Sequence, residues 1–246
     1  MPPEDQDLFR NSTDVVMSTE MRDPEESRAS LDKLLDYLGD LIANKREHPT
    51  DDLISALIQA RDVDDKLSEQ ELRLLCLAML VAGYESTAAQ IGLFVMTLLH
   101  YPEELERLKA QPDLVPKAVE ELLRFVHLGE YGTGFPRVTT EEVVLSGVTI
   151  PAGAMVLPAM IPADRDPAVF ADPDRLDVAR EVNPHFGFGY GPHRCLGAML
   201  ARVELQEALR GLLDRMPGLA LAVPESELRF VPGRILRTLE ELPVTW

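Results

Sequence analysis

The chain reads as an α+β protein, mostly helical with small β-sheets. Apolar residues recur at helical spacing through the first half. Short β-branched runs bounded by turn residues follow, then a stretch rich in Pro, Gly and Asp that leads into one strong helix. With 246 residues, 46% of them apolar, the chain is long enough to bury a large core. No composition shift marks a linker, so one domain over 1–246 is predicted.

Residues 4–16 form a short amphipathic segment. Leu31, Leu34, Leu35, Leu38, Leu41 and Ile42 then repeat at 3.6-residue spacing, predicting a helix over 30–45 that Pro49 ends. A further short helix covers 51–61. Ser68 to Glu71 has the S-x-x-E form of a capping box and opens a long helix to about His100, apolar nearly all round. Glu85 interrupts its most apolar stretch, which favours a buried core helix over a membrane span. Tyr101-Pro102 stops it, and helices at 103–109 and 114–126 follow. Strands are predicted at 143–145, 148–150 and 155–157, with turns at Ser146-Gly147 and Pro151-Ala152-Gly153. Residues 158–194 read as a long irregular connection, a length that is usually functional. A helix over 196–216 and short strands to Trp246 complete the chain.

Charge narrows the function. Forty-two acidic against 24 basic residues leave a net charge of −18, which argues against nucleic acid or anionic membrane as partner. Two distant cysteines, Cys76 and Cys195, make no disulfide framework. The first residues lack a basic and an apolar region, so a cytoplasmic protein is expected. The histidines show no zinc spacing.

The most distinctive stretch runs from Phe186 to Gly197, FGFGYGPHRCLG. Its glycines let the backbone approach something flat or bulky. Cys195 stands just before a helix, where unpaired amides favour the thiolate that ligates metal. The spacing lacks the third glycine of a dinucleotide loop, and no βαβ unit surrounds it.

Phe188 to Gly197 resembles the haem-binding loop of cytochrome P450 monooxygenases, F-G-x-G-x-H-x-C-x-G, at every fixed position. The resemblance implies a cytochrome P450-like fold, N-terminally truncated. Residues 1–61 would be its distal roof helices, 68–100 its long central helix and 135–162 a small sheet. The haem–thiolate loop would span 186–197 and the proximal helix 196–216. It implies haem b, with Cys195 as axial thiolate. Ala82, Phe188, Gly189 and Gly197 would line the cofactor, and His193 and Arg137 would meet its propionates through charge-assisted bonds.

Ala82 to Thr87, AGYEST, is similar to the family's oxygen-activation segment, with Glu85 and Ser86 as proton donors and Ser86 where threonine is usual. Glu121 and Arg124 match the family's E-x-x-R, implied to be a buried structural pair with Arg180 as third partner. Residues 163–167 resemble its Asn-Arg-Asp-Pro, with Asp164 replacing the Asn.

The activity implied is a monooxygenase that inserts one oxygen atom from O2 into an apolar natural-product intermediate. Ala78, Val81, Ile235 and residues 133–135 would face substrate. The expected partner is a ferredoxin-type electron donor, drawn to Arg124, Arg194 and Arg202. The resemblance starts part-way through the family's helical region. That leaves room for a fragment of a longer enzyme, or for a second chain that completes the N-terminal wall. It also leaves the alternative of a haem-free accessory protein that activates a partner enzyme.

Overall fold

A computed structural model of the chain describes residues 13, 15, 18, 19, 23–64, 67–129 and 136–246. Most of the segment 4–16, and the expected substrate-facing residues 133–135, lie outside them. The chain forms two compact units where one domain was expected. One comprises Met1–Ser86 with Pro232–Ile235; the other comprises Thr87–Val231 with Leu236–Trp246.

In the first unit, α1 (Pro24–Glu47) and α2 (Leu53–Asp64) pack together, followed by the first part of α3 (Glu69–His100). Asp23 caps α1 by accepting the Glu25 N–H at 2.9 Å, and Pro24 occupies the first turn, where its missing donor costs nothing. Leu34, Leu38 and Ile42 recur every fourth residue and are buried with Ile58, Leu72, Cys76, Leu77 and Val81. Arg46 ties the three helices together, meeting Asp62 of α2 at 3.0 Å and Glu69 of α3 at 2.7 Å. The capping box forms as the sequence predicts: Ser68 N–H donates to Glu71 and Glu71 N–H to the Ser68 hydroxyl, at 2.7 and 3.2 Å.

The second unit holds the rest of α3, then α4 (Pro102–Ala110), a short 3₁₀ turn at Pro112–Leu114 and α5 (Val115–Phe125). Later come β1 (Arg137–Val138), β2 (Val143–Leu145), β3 (Val148–Ile150), β4 (Met155–Val156), α6 (Met160–Ala163), α7 (Ala198–Arg215), β5 (Ala220–Leu221) and β6 (Val244–Thr245). Its core gathers Leu93, Phe94 and Leu98 of α3, Leu105 and Leu108 of α4, Val119 and Leu122 of α5, and Leu205 and Leu209 of α7.

The expected small sheet is instead two separate antiparallel pairs, β1 with β4 and β2 with β3. Ser146 and Gly147, both at positive φ (48° and 81°), make a two-residue hairpin that uses up the pairing of β2 and β3. The ends of the segment are left to pair with each other.

Apolar character all round α3 predicted burial all round. The helix is buried at its two core stretches, yet Ala82, Gly83 and Tyr84 between them are exposed. Among the described residues α3 is the helix with the length and composition to cross a membrane. Glu85, near its middle, is paired with Arg234.

Candidate haem–thiolate site

Cys195 is a free, exposed thiol immediately before α7, whose N-cap is Gly197. Its loop is held by its own backbone: Gly189 N–H donates to Phe186 C=O at 2.7 Å and Cys195 N–H to Phe188 C=O at 2.9 Å. Gly189 and Gly191 take φ of +68° and +84°, where a side chain would be strained. Phe188 packs on the core, and the Arg202 guanidinium lies 4.5 Å from its ring centroid. Around the thiol in sequence, Tyr190 and Leu196 are each 78% exposed and Met199 is 72% exposed. A soft donor standing free among exposed apolar side chains fits a flat apolar macrocycle with a central iron. Gly197 adds open space, since a Cβ there would meet nothing within 4 Å.

The loop's entry is clamped from behind. His185 Nδ1 accepts the Gly187 N–H at 3.0 Å, so Nε2 carries the proton and donates to Glu120 at 3.0 Å. Arg202 of α7 grips the same carboxylate at 2.7 and 2.9 Å. Burial pushes the Glu120 carboxyl up, but the hydrogen bonds from His185 and Arg202 outweigh it and bring the group down to about 2. A depressed folded-state value means the clamp contributes fully above the carboxyl's ordinary 4.5 and is lost as pH falls through about 2. Urea midpoints measured between about pH 5 and pH 2 are expected to fall with acid, and Glu120→Gln to flatten that branch.

Glu121, Arg124 and Arg180 come together. Glu121 and Arg124 are both fully buried, with Arg124 Nε and Arg180 Nε at 2.8 and 2.9 Å from Glu121 Oε2. Arg124 also donates to the carbonyls of Asp164 and Pro173, both at 2.8 Å. Arg124 therefore contributes nothing to a surface field, and Arg202 is committed to Glu120. Of the three arginines expected to attract an electron donor, Arg194 is exposed on the loop. Arg137 on β1 and His193 are exposed as well, and among the described residues no hydrogen bond or ion pair engages their side chains.

In the first unit, Glu85 lies 3.6 Å from Arg234, and the Ser86 hydroxyl donates to the Ala82 carbonyl one turn back. Ala78 and Ala82 are exposed, and Ile235 is 41% exposed. Val81, expected to face substrate, is instead buried at 9%. It stands one turn after Leu77 and so shares the helix face that packs into the core.

Several residues here escaped the sequence reading: Glu120, His185 and Arg234, and the role of Arg202 in gripping Glu120. Arg234 lies 149 positions from its partner, and no local pattern links residues so far apart. Among the described residues, one cleft of about 500 Å³ is bordered by Glu227, Arg229 and Glu240 and another by Lys45, Asp52 and Asp62. Neither is lined by a predicted site residue.

The chain is about half helical and carries an exposed thiol on a glycine-shaped loop, with a buried Glu–Arg–Arg network in the same unit. The sequence profile described as Cytochrome P450 matches residues 1–216. The chain belongs to the cytochrome P450 family, which implies a haem cofactor. It is 52% identical over its whole length to the mycinamicin IV hydroxylase/epoxidase of Micromonospora griseorubida, covering 62% of that protein. It is 49% identical to the nocardicin C N-oxygenase of Nocardia uniformis subsp. tsuyamanensis, covering 61%. A solved hydroxylase from the leinamycin biosynthetic pathway of Streptomyces atroolivaceus superposes with a TM-score of 0.92 at 47% identity, over all of this chain and 63% of that one. The chain thus spans about three fifths of the length of these relatives. All three are named for oxygenase or hydroxylase chemistry and none as an accessory protein, so the haem-free alternative has no support here.

Proposed function

We propose that the protein is an oxidoreductase of secondary metabolism, a haem–thiolate monooxygenase that inserts one oxygen atom from O2 into an apolar natural-product intermediate. The observation that carries this reading is the exposed Cys195 thiol at the end of its glycine-shaped loop. Cys195 Sγ would hold the iron of haem b. When bound, thiolate-ligated haem supplies the electron push that favours O–O cleavage. Phe188, Gly189 and Gly197 would bound the cofactor, and Arg137 and His193 would donate charge-assisted hydrogen bonds to its propionates.

Inserting one oxygen atom releases the other as water, which takes up two protons and two electrons. Glu85 and Ser86 hold and move those protons. The Glu85 carboxylate is 12% exposed at its side chain beside Arg234, and the Ser86 hydroxyl holds its proton on the Ala82 carbonyl until it turns. Ala78 and Ile235 present exposed apolar surface to substrate. The electrons come from a ferredoxin-type donor that meets Arg194, in the cytoplasm. The test is the absorption spectrum of the chain loaded with haem, reduced and exposed to carbon monoxide. A strongly red-shifted Soret band is expected. No Soret band, or an unshifted one, overturns the reading.

A further inference from the structure

Two buried polar atoms beside the entry of the cysteine loop lie 4.0 Å apart, each without a hydrogen bond to any described residue. Asp164 is fully buried. Its Oδ1 accepts the Phe186 N–H at 2.8 Å, while its Oδ2 makes no hydrogen bond to any described residue and lies 4.0 Å from His127 Nε2. His127 Nε2 is likewise buried without a hydrogen bond. Buried polar atoms are costly unless paired, and two acceptors placed face to face are worse than either alone. Once the side chains close the 4.0 Å gap to hydrogen-bond distance, one proton satisfies both, as Asp164 O–H donating to His127 Nε2 or as His127 N–H donating to the Asp164 carboxylate.

We propose that Asp164 and His127 share a single proton, and that this proton sets how firmly Asp164 holds the Phe186 N–H at the start of the cysteine loop. The loop relays the effect through its own bonds. Phe186 C=O accepts the Gly189 N–H, and Phe188 C=O accepts the Cys195 N–H. Asp164 is therefore a positioning residue: it acts on the cysteine through the backbone, whatever the thiol ligates.

The surroundings bring the two groups together in proton affinity. Burial pushes the Asp164 carboxyl above its ordinary range, against the Phe186 N–H bond and the charges of Arg124 and Arg165. Burial first, then the charges of Arg165, Arg124 and Arg237, lowers His127 to about 4. A carboxyl driven up and an imidazole driven down titrate as one unit, and the same cations disfavour a second proton. With an Asn, as in the sequence this segment resembles, the donor would be fixed permanently. With Asp164 it comes and goes with pH.

The test is amide and imidazole NMR of the full chain across pH 4–9, without haem. The Phe186 amide, the Gly189 amide and the His127 ring are expected to move with one common midpoint. In Asp164→Asn, which keeps an acceptor for Phe186 N–H and provides a permanent donor for His127, the Phe186 titration is expected to be lost. A Phe186 amide that is insensitive to pH in the native chain, or that titrates identically in Asp164→Asn, overturns the proposal. Should that variant not fold, His127→Gln decides. The Phe186 midpoint is expected to move by about one pH unit or more, and an unchanged midpoint overturns the assignment.

Discussion

Glu121→Ala is expected to destabilise the unit that carries Cys195 by roughly 3–5 kcal/mol, a large share of the 5–15 kcal/mol typical of a domain. The Glu121 carboxylate receives five hydrogen bonds. Oε1 takes Arg124 Nη2 at 2.8 Å and Asp177 N–H at 3.0 Å. Oε2 takes Arg124 Nε, Arg180 Nε and Asn183 Nδ2 at 2.8, 2.9 and 3.0 Å. Removing it leaves the fully buried Arg124 guanidinium without its counter-charge. The loss spreads because the two guanidiniums also fasten a connection that has little regular structure. Arg124 holds the Asp164, Pro173 and Arg175 carbonyls and Arg180 holds the Ala171 carbonyl. Urea unfolding followed by far-UV circular dichroism measures the effect. Breaking the exposed Lys117–Glu181 pair, 2.6 Å apart, is the control and should change stability by less than about 1 kcal/mol. A Glu121→Ala midpoint as close to native as that control's would show that the network is not what holds the connection.

The second large effect is spectroscopic. Cys195→Ser is expected to abolish the red-shifted carbon monoxide band while leaving the fold in place. The side chain is exposed and belongs to neither core, so the urea midpoint should correspond to a change within about 0.5 kcal/mol. The hydroxyl is a harder, weaker donor than the thiolate and supplies none of the electron push on which the band depends. Persistence of the band in this variant would mean that another residue ligates the iron.

The cap at Ser68, the leucine repeat of α1 and the Ser146-Gly147 hairpin were legible in the sequence, because each is a contact between residues at most a few positions apart. So was the cysteine loop, whose glycines and cysteine fall within ten residues. The E-x-x-R shows the limit of such reading. Its i, i+3 spacing puts Glu121 and Arg124 on one helix face, but the same spacing serves a solvated surface pair equally well. That the pair is buried and wrapped by carbonyls near 164, 173 and 175 depends on where a long irregular connection folds back. Val81 shows the same limit from the other side. Its neighbours on α3 assign it a face, and only the packing of Leu34, Leu38 and Ile42 against that face shows that it is core.

By itself the sequence determined the local elements, the glycine-shaped loop and the cysteine it presents, since short-range backbone geometry and hydrogen bonding decide these. The tertiary structure alone decided which charges are buried, that the helical region divides between two cores, and that Asp164 meets His127 beside the loop. Burial and the pairing of groups many residues apart follow from the packing of whole elements, and no spacing along the chain encodes them.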